Sequence, residues 1–370
     1  MKDLPQAQLR TSKELLKELF LYLRPPGQGI YSISTGREEI EAQSARYLSE
    51  KTWRVGIEEL ASLKGKEAVA ILALPSDTGC GILRGAARGP EAIRAAWKKP
   101  PCVDLGDVLV VPQLLTEDLV GDEAYGRISR ALYGEEEART WKYPVSPIGM
   151  AARVLTILRV LNPELRVFLL GGDHTVAWPA MDALFPVGQD YSDVGILHFD
   201  AHTDLLSERQ GVEICFTTWA YHANVRIGRG KRLLQVGIRA TRQTKEYWES
   251  QEDVKQIWGE EALELSAEDL ADVCVEHFRS LGVKRVYISN DIDGTDQSFA
   301  AACGTPESGG LIPEQVVAAI QAMAEHFEII GADLVEFAPH LAPTAAAREV
   351  ALSTAALYAT ETIQALKRRV

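Results

Sequence analysis

A mostly parallel α/β sheet sandwiched between helices is the fold this sequence predicts, and three observations lead there. Short apolar runs alternate with helical patterns along the chain, as in strand–crossover–strand units. The runs lack strict polar–apolar alternation, so the strands are expected to be covered on both faces. Several end in glycine, aspartate or histidine, and in such sheets ligands bind beyond the carboxyl ends of the strands.

Residues 1–66 carry a helical pattern with Leu15, Leu16, Leu19 and Leu21, then the turn-rich Arg24-Pro25-Pro26-Gly27-Gln28-Gly29, then a second helical pattern over 40–63. They read as an extension ahead of a catalytic domain at 67–370. The first buried strand is 68–74, followed by the glycine-rich Asp77-Thr78-Gly79-Cys80-Gly81. That loop lacks the lysine and hydroxyl of a phosphate loop and reads as a turn near the mouth of a site. A helix is expected at about 90–97, strands at 108–111, 166–170, 194–199, 233–238, 286–289 and 331–336, and helices at 150–161 and 313–326.

Composition bounds the function. Apolar residues make up 46% and charged residues 25% of the 370, enough for a full core. A formal charge of −13 leaves no basic excess to release counterions from phosphates, so nucleic acid and anionic membranes are unfavourable partners and a cationic ligand is favoured. The five scattered cysteines contain no C-x-x-C pair, which argues against disulfides or zinc thiolates and for a cytoplasmic protein. No signal-peptide pattern and no run of about 18 apolar residues is present.

The chemistry lies at three strand ends. In Asp200-Ala201-His202-Thr203-Asp204 the period of two would place three ligand-type side chains on one face if the extended backbone persists. Asp291-Ile292-Asp293 is a shorter version, and Gly171-Gly172-Asp173-His174 presents an imidazole after glycines that permit a tight turn. Carboxylate and imidazole without thiolate suit Mn2+, and imidazole also admits Ni2+ or Co2+. Six such groups exceed one open site and fit two ions about 3.5 Å apart that share one activated water. Either acidic pair alone could equally cap a helix. His198 shares the parity of Asp200 but lies deeper, where a hydrogen-bonded core histidine is expected. His277, His326 and His340 lack acidic partners at useful spacing.

These residues resemble the motifs of the arginase, agmatinase or ureohydrolase superfamily. The resemblance runs from about 68 to 362 and rests on the three stretches above, together with Asp104-Leu105-Gly106-Asp107, Arg84-Gly85-Ala86-Ala87-Arg88-Gly89-Pro90, Gly304-Thr305-Pro306-Glu307-Ser308-Gly309-Gly310 and Asp333-Leu334-Val335-Glu336. It implies a three-layer α/β/α fold, a binuclear manganese centre, and trimers or hexamers of one chain. By similarity, His174, Asp200, Asp204 and Asp291 would hold one ion and Asp200, His202, Asp291 and Asp293 the other, with Asp200 and Asp291 bridging. Glu336 would receive a guanidinium, and Asp296 would orient ligands.

Departures shift the substrate. The family usually places a His-Gly pair about 10 to 13 residues after the last aspartate of the D-A-H-x-D motif, but that window here holds Cys215, Phe216 and Thr217. The proton shuttle is then expected to be missing, replaced by Cys215, or supplied from His222 in a rearranged loop, with Asp293 or a group near His222 protonating the leaving nitrogen. Arginase reads its amino acid with an asparagine two residues after the position of Asp204, where this chain has Leu206. With Cys215, Phe216, Trp219 and Tyr221 nearby, the pocket is expected to enclose a small guanidine rather than arginine. The loop 217–224 is similar to that of a guanidine-hydrolase branch associated with nickel. Gln297 stands where the family commonly has proline. The leading expectation is hydrolysis of a guanidino compound to urea and an amine or ammonia. A catalytically silent partner subunit and a metal-dependent amide hydrolase are the alternatives.

Overall fold

Runs of Val, Ile, Leu and Ala satisfy their backbone hydrogen bonds by pairing with one another, and in the computed structural model they form one sheet. The structure describes residues 10–30, 49–62, 68–81, 83–97 and 102–368. The strands are β1 (Leu23–Arg24), β2 (Ala68–Leu74), β3 (Val103–Val108), β4 (Leu165–Gly171), β5 (Val194–Phe199), β6 (Leu233–Ile238), β7 (Lys255–Trp258), β8 (Arg285–Asp291) and β9 (Glu328–Val335), in the order β1-β3-β2-β4-β9-β8-β5-β6-β7. All pairings are parallel except β1 with β3.

Successive residues of a strand feed two different cores, as a sheet covered on both faces requires. Ala70, Leu72 and Leu74 of β2 and Val194 and Ile196 of β5 pack with the helices Pro147–Leu161 and Trp178–Leu184. Ile71, Ala73, Leu197 and Phe199 pack with Ala267–Ser280, Pro313–His326 and Ala345–Lys367. These are the three layers the resemblance implies. No helix among the described residues is long and apolar enough to cross a membrane. All five cysteines are free.

Several expected boundaries move. The strand placed at 108–111 runs over Val103–Val108 instead, so the polar Asp104 and Asp107 lie inside the sheet. Arg94 makes this tolerable. From the helix Gly89–Ala96 its Nε and Nη2 donate to both oxygens of Asp104 at 2.8 and 2.7 Å, and Nη1 donates to Asp107. Burial still pushes the Asp107 carboxyl upward despite that guanidinium. Asp107 Oδ2 also accepts the N–H groups of Gly27 and Gly29 at 2.9 and 3.0 Å, which ties the N-terminal segment to the sheet.

Before residue 67 the helices Ser12–Tyr22 and Glu50–Ser62 pack on the first core. Of the helical stretch expected at 40–63, residues 40–48 and 63 lie outside the described residues. The edge strand β7 was not expected from the sequence, being only four residues long with two polar side chains. Replacing Arg94 by Met would strand two buried carboxylates, and it should cost about 3–5 kcal/mol of stability in chemical unfolding; an unchanged midpoint would show that this trio carries no weight.

Candidate metal centre

The order β4-β9-β8-β5 brings four strand ends side by side, and the candidate ligands sit just beyond them. The expected extended comb after β5 does not persist. The strand stops at Phe199, Asp200 Oδ1 accepts the His202 N–H at 2.6 Å, and Asp204 adopts a left-handed backbone with φ 51°. Convergence therefore comes from a turn, not from strand periodicity. After β8, Asp291 Oδ1 accepts the Asp293 N–H at 2.9 Å and starts a 3-10 turn. After β4, Gly172 serves close approach and not turning: a Cβ there would lie 1.7 Å from the Ser76 carbonyl oxygen.

His174 is fully buried, and its two ring nitrogens are distinguishable. Ser289 Oγ donates to Asp333 Oδ1 at 2.8 Å, so it accepts from His174 Nε2 at 2.9 Å. Nδ1 is left without a hydrogen-bond partner, facing Oδ2 of Asp291, Asp200 and Asp204 at 3.1, 3.2 and 3.3 Å. A second group joins it through Asp200: His202 Nδ1 lies 3.3 Å from Asp200 Oδ1 and 3.1 Å from Asp293 Oδ2. Ligand atoms of His174, Asp200 and Asp204, and separately of Asp200, His202 and Asp293, fall within 4.8 Å of one another. A ring nitrogen facing three carboxylate oxygens in a buried site calls for a cation between them, a proton or a metal ion. The donor set thus fits two divalent ions sharing Asp200, with Asp291 on the His174 side.

The electrostatics agree. Burial opposes charging His174, yet the three carboxylates hold its proton affinity well above that of an ordinary imidazole. His202 is pushed up to about 12 by Asp293 and Asp200 against the effect of burial. Burial, with Asp293 and Asp200 beside it, raises the Asp291 carboxyl, while the three histidines around Asp200 hold that one well below the usual range although burial opposes them.

Surrounding residues aim the ligands. Thr305 Oγ1 donates to Asp293 Oδ2 at 2.9 Å, and the Ala201 N–H donates to Oδ1 at 3.1 Å. Asp296 touches no ligand: it accepts from Ser298, Gly309 and Gly310 and so orders the loop that carries Thr305. Gln297 begins the short helix Gln297–Ala300. Arg239 gives its guanidinium to backbone carbonyls of Gly237, Asp293, Glu307 and Ser308. Glu336 was expected within a strand, but it follows β9 with φ 62°; its Oε1 accepts the His174 N–H at 2.9 Å. Burial raises its carboxyl well above the usual range, and Asp291 and Asp173 add to this.

Of the residues expected around substrate, Trp219 and His222 are placed otherwise. Trp219 is fully buried, its Nε1 donates to Asp204 Oδ2 at 3.0 Å, and its ring stacks on His174 at 4.5 Å. It is a support for the ligands and not a wall for substrate, because helix Trp219–Arg226 turns it inward. His222, on the same helix, donates from Nε2 to the Ser207 carbonyl at 2.9 Å and packs edge-on against Trp178, so it pins the loop. Cys215 is buried in a tight turn with Thr218, its Sγ 3.4 Å from Thr217 Oγ1. Phe216 faces the loop at 77–81, where a Cβ added at Gly81 would lie 3.4 Å from its ring, and the exposed Leu206 donates its N–H to the Thr217 carbonyl next to it. Sequence reasoning missed Arg94, Arg239 and Gln235 and gave Thr305, though part of a quoted motif, no role; a lone polar residue in an apolar run, as in Leu234-Gln235-Val236, is the signal that could have found Gln235.

Comparison with known proteins adds to this geometry. Residues 67–361 match the model of the arginase family. The guanidinobutyrase of Pseudomonas aeruginosa is 29% identical over 275 residues, 73% of this chain and 78% of that protein. The N(1)-aminopropylagmatine ureohydrolase of Thermus thermophilus is 33% identical over 274 residues, 74% of this chain and 83% of that protein. The structure of the proclavaminate amidino hydrolase from Streptomyces clavuligerus superposes with a TM-score of 0.60 over 82% of this chain and 94% of that one, at 24% identity, a likeness of fold. With the matched family model spanning most of the sequence and the same strand-end motifs in place, this chain belongs to the arginase family.

Proposed function

We propose that this protein is a binuclear-metal hydrolase of a small guanidino compound that is not an amino acid, releasing urea and an amine or ammonia. The observation that carries the reading is His174 Nδ1, unpartnered and facing three carboxylates, beside the second group at His202. Membership of the family implies a divalent binuclear centre, and by resemblance the ions are Mn2+, with Ni2+ as the alternative. When bound, they supply Lewis acidity that brings the pKa of water toward neutrality.

The chain's own residues do the rest. By resemblance, His174, Asp200, Asp204 and Asp291 would hold one ion and Asp200, His202, Asp291 and Asp293 the other; the geometry supports Asp200 as the shared residue and places Asp291 beside His174. Glu336, held by the His174 N–H, is the counter-anion for the guanidinium and orients its carbon. Asp293, steadied by Thr305, is the group that carries a proton toward the leaving nitrogen. His222 Nε2 donates to the Ser207 carbonyl, and in this reading the proton step falls to Asp293. Leu206 stands where arginase reads its amino acid with an asparagine, the Arg209 guanidinium covers the Phe216 ring, and relatives named guanidinobutyrase and agmatinase favour a guanidino substrate other than arginine. In this reading residues 67–370 form the catalytic domain, residues 1–66 extend it, and the cytoplasmic protein assembles as a homotrimer or hexamer.

Protein loaded with Mn2+ or Ni2+ should release urea from at least one of guanidine, agmatine and 4-guanidinobutyrate and act poorly on arginine; a colorimetric urea assay negative across the whole panel would sink the proposal. Asp200→Asn removes a shared charge and should abolish both metal occupancy, by elemental analysis, and urea release. Glu336→Gln should keep the metals but lower kcat/KM by about 10–100-fold, the worth of one charge-assisted contact; unchanged kinetics would deny Glu336 its role.

A further inference from the structure

Beneath the metal centre, β5, β6 and β7 carry a row of polar side chains among apolar neighbours. His198, Gln235 and Gln256 are direct partners across the three strands, and all three are fully buried. Trp258 stands two residues beyond Gln256 and shares its face. The four are joined end to end. Trp258 Nε1 lies 2.9 Å from Gln256 Oε1, Gln256 Nε2 lies 2.8 Å from Gln235 Oε1, Gln235 Nε2 lies 3.0 Å from His198 Nδ1, and His198 Nε2 lies 2.8 Å from Asp200 Oδ2.

The direction of every bond is set by the two ends. An indole nitrogen can only donate, so Gln256 must turn its oxygen to Trp258 and its NH2 to Gln235. Gln235 must then present its oxygen to Gln256 and its NH2 the other way, where it also meets the Thr203 carbonyl, which can only accept, at 2.6 Å. His198 Nδ1 receives that N–H, so the ring hydrogen sits on Nε2 and points at Asp200. Were it on Nδ1, the Nε2 lone pair would face Asp200 Oδ2 and turn the carboxylate away.

We infer that Gln235, Gln256 and Trp258 are positioning residues for the metal centre, a one-directional relay from the edge of the sheet that fixes the hydrogen of His198 on Nε2 and thereby the aim of Asp200. The inference rests on the metal-centre reading above. Asp200 is common to both ligand groups, so tilting it weakens both. Gln235 reaches further than His198, since its bond to the Thr203 carbonyl also restrains the turn that leads to Asp204.

The test is a double-variant cycle on the full chain, stripped of metal and titrated with Mn2+ against a fluorescent chelator, with the melting temperature of the metal-free protein as control. Gln235→Leu should weaken Mn2+ binding by about 10–100-fold. Trp258→Phe, three side chains away from Asp200, should weaken it by about two- to tenfold without lowering the metal-free melting temperature. The double variant should bind no more weakly than Gln235→Leu alone, because the relay is already cut. Losses that multiply, or an unchanged affinity in Trp258→Phe, overturn the relay. Should Gln235→Leu fail to fold, Gln256→Leu replaces it in the same cycle with the same criteria. A wild-type protein that takes up neither Mn2+ nor Ni2+ overturns the metal-centre reading itself, and the relay with it, whereas a failed cycle in a metal-binding wild type overturns the relay alone.

Discussion

Mutual repulsion among buried carboxylates is the constraint on which the rest of this structure depends. Asp200, Asp204, Asp291 and Asp293 are all buried, and Asp291 adds to the effect of burial in raising the Glu336 carboxyl. Unpaired, such a cluster would cost far more than a domain's net stability. The chain meets this by giving nearly every oxygen a donor or a cation-ready partner: backbone N–H groups of Ala201, His202 and Asp293, the indole of Trp219, the hydroxyl of Thr305 and the imidazole of His198. Left-handed backbone at Asp204 and Glu336 is tolerated for the same reason, since the strained conformations are those that bring carboxylates to the shared point.

The sheet makes that convergence rigid. Neighbouring strand ends bring residues from 174 to 336 together, and their loops are clamped by Arg239, which follows β6 and donates to the carbonyls of Asp293, just past β8, and of Glu307. The two faces of the sheet are unlike. One carries a dry core of Phe199, Leu197, Val236 and Ile288; the other carries Asp333, Ser289, His198, Gln235 and Gln256 in consecutive register across β9, β8, β5, β6 and β7. This polar belt lies one layer below the ligands, and both limbs end on them, through Ser289 at His174 and through His198 at Asp200.

The mouth is built on different terms. Its parts come from connecting loops: Gly79 and Gly81 on one side, Leu206, Cys215 and Phe216 on the other. Gly79 is held against Thr175 and Asp173, where any side chain would collide with Thr175 Oγ1, and His222 anchors the opposite loop through Ser207. A deep centre set by strands and a shallow rim set by loops is an arrangement in which substrate choice can change while the chemistry stays.

The sequence by itself determined the covered sheet and most of its strands, because apolar runs have few alternatives to burial on both faces. It also singled out the six carboxylate and imidazole residues at three strand ends, because three such groups in chain order after buried strands point to one shared site where a single pair would not. Only the tertiary structure decided how they meet. The turn at Asp204 replaced the expected extended comb, Trp219 and His222 turned from the pocket to support its frame, and the strand at 103–108 absorbed two aspartates because Arg94 reaches them from a separate helix. The physical reason is common to all of these. Strand periodicity is local and legible along the chain, whereas the partner that satisfies a buried polar atom is chosen by cross-strand register and helix docking, which join residues far apart in sequence.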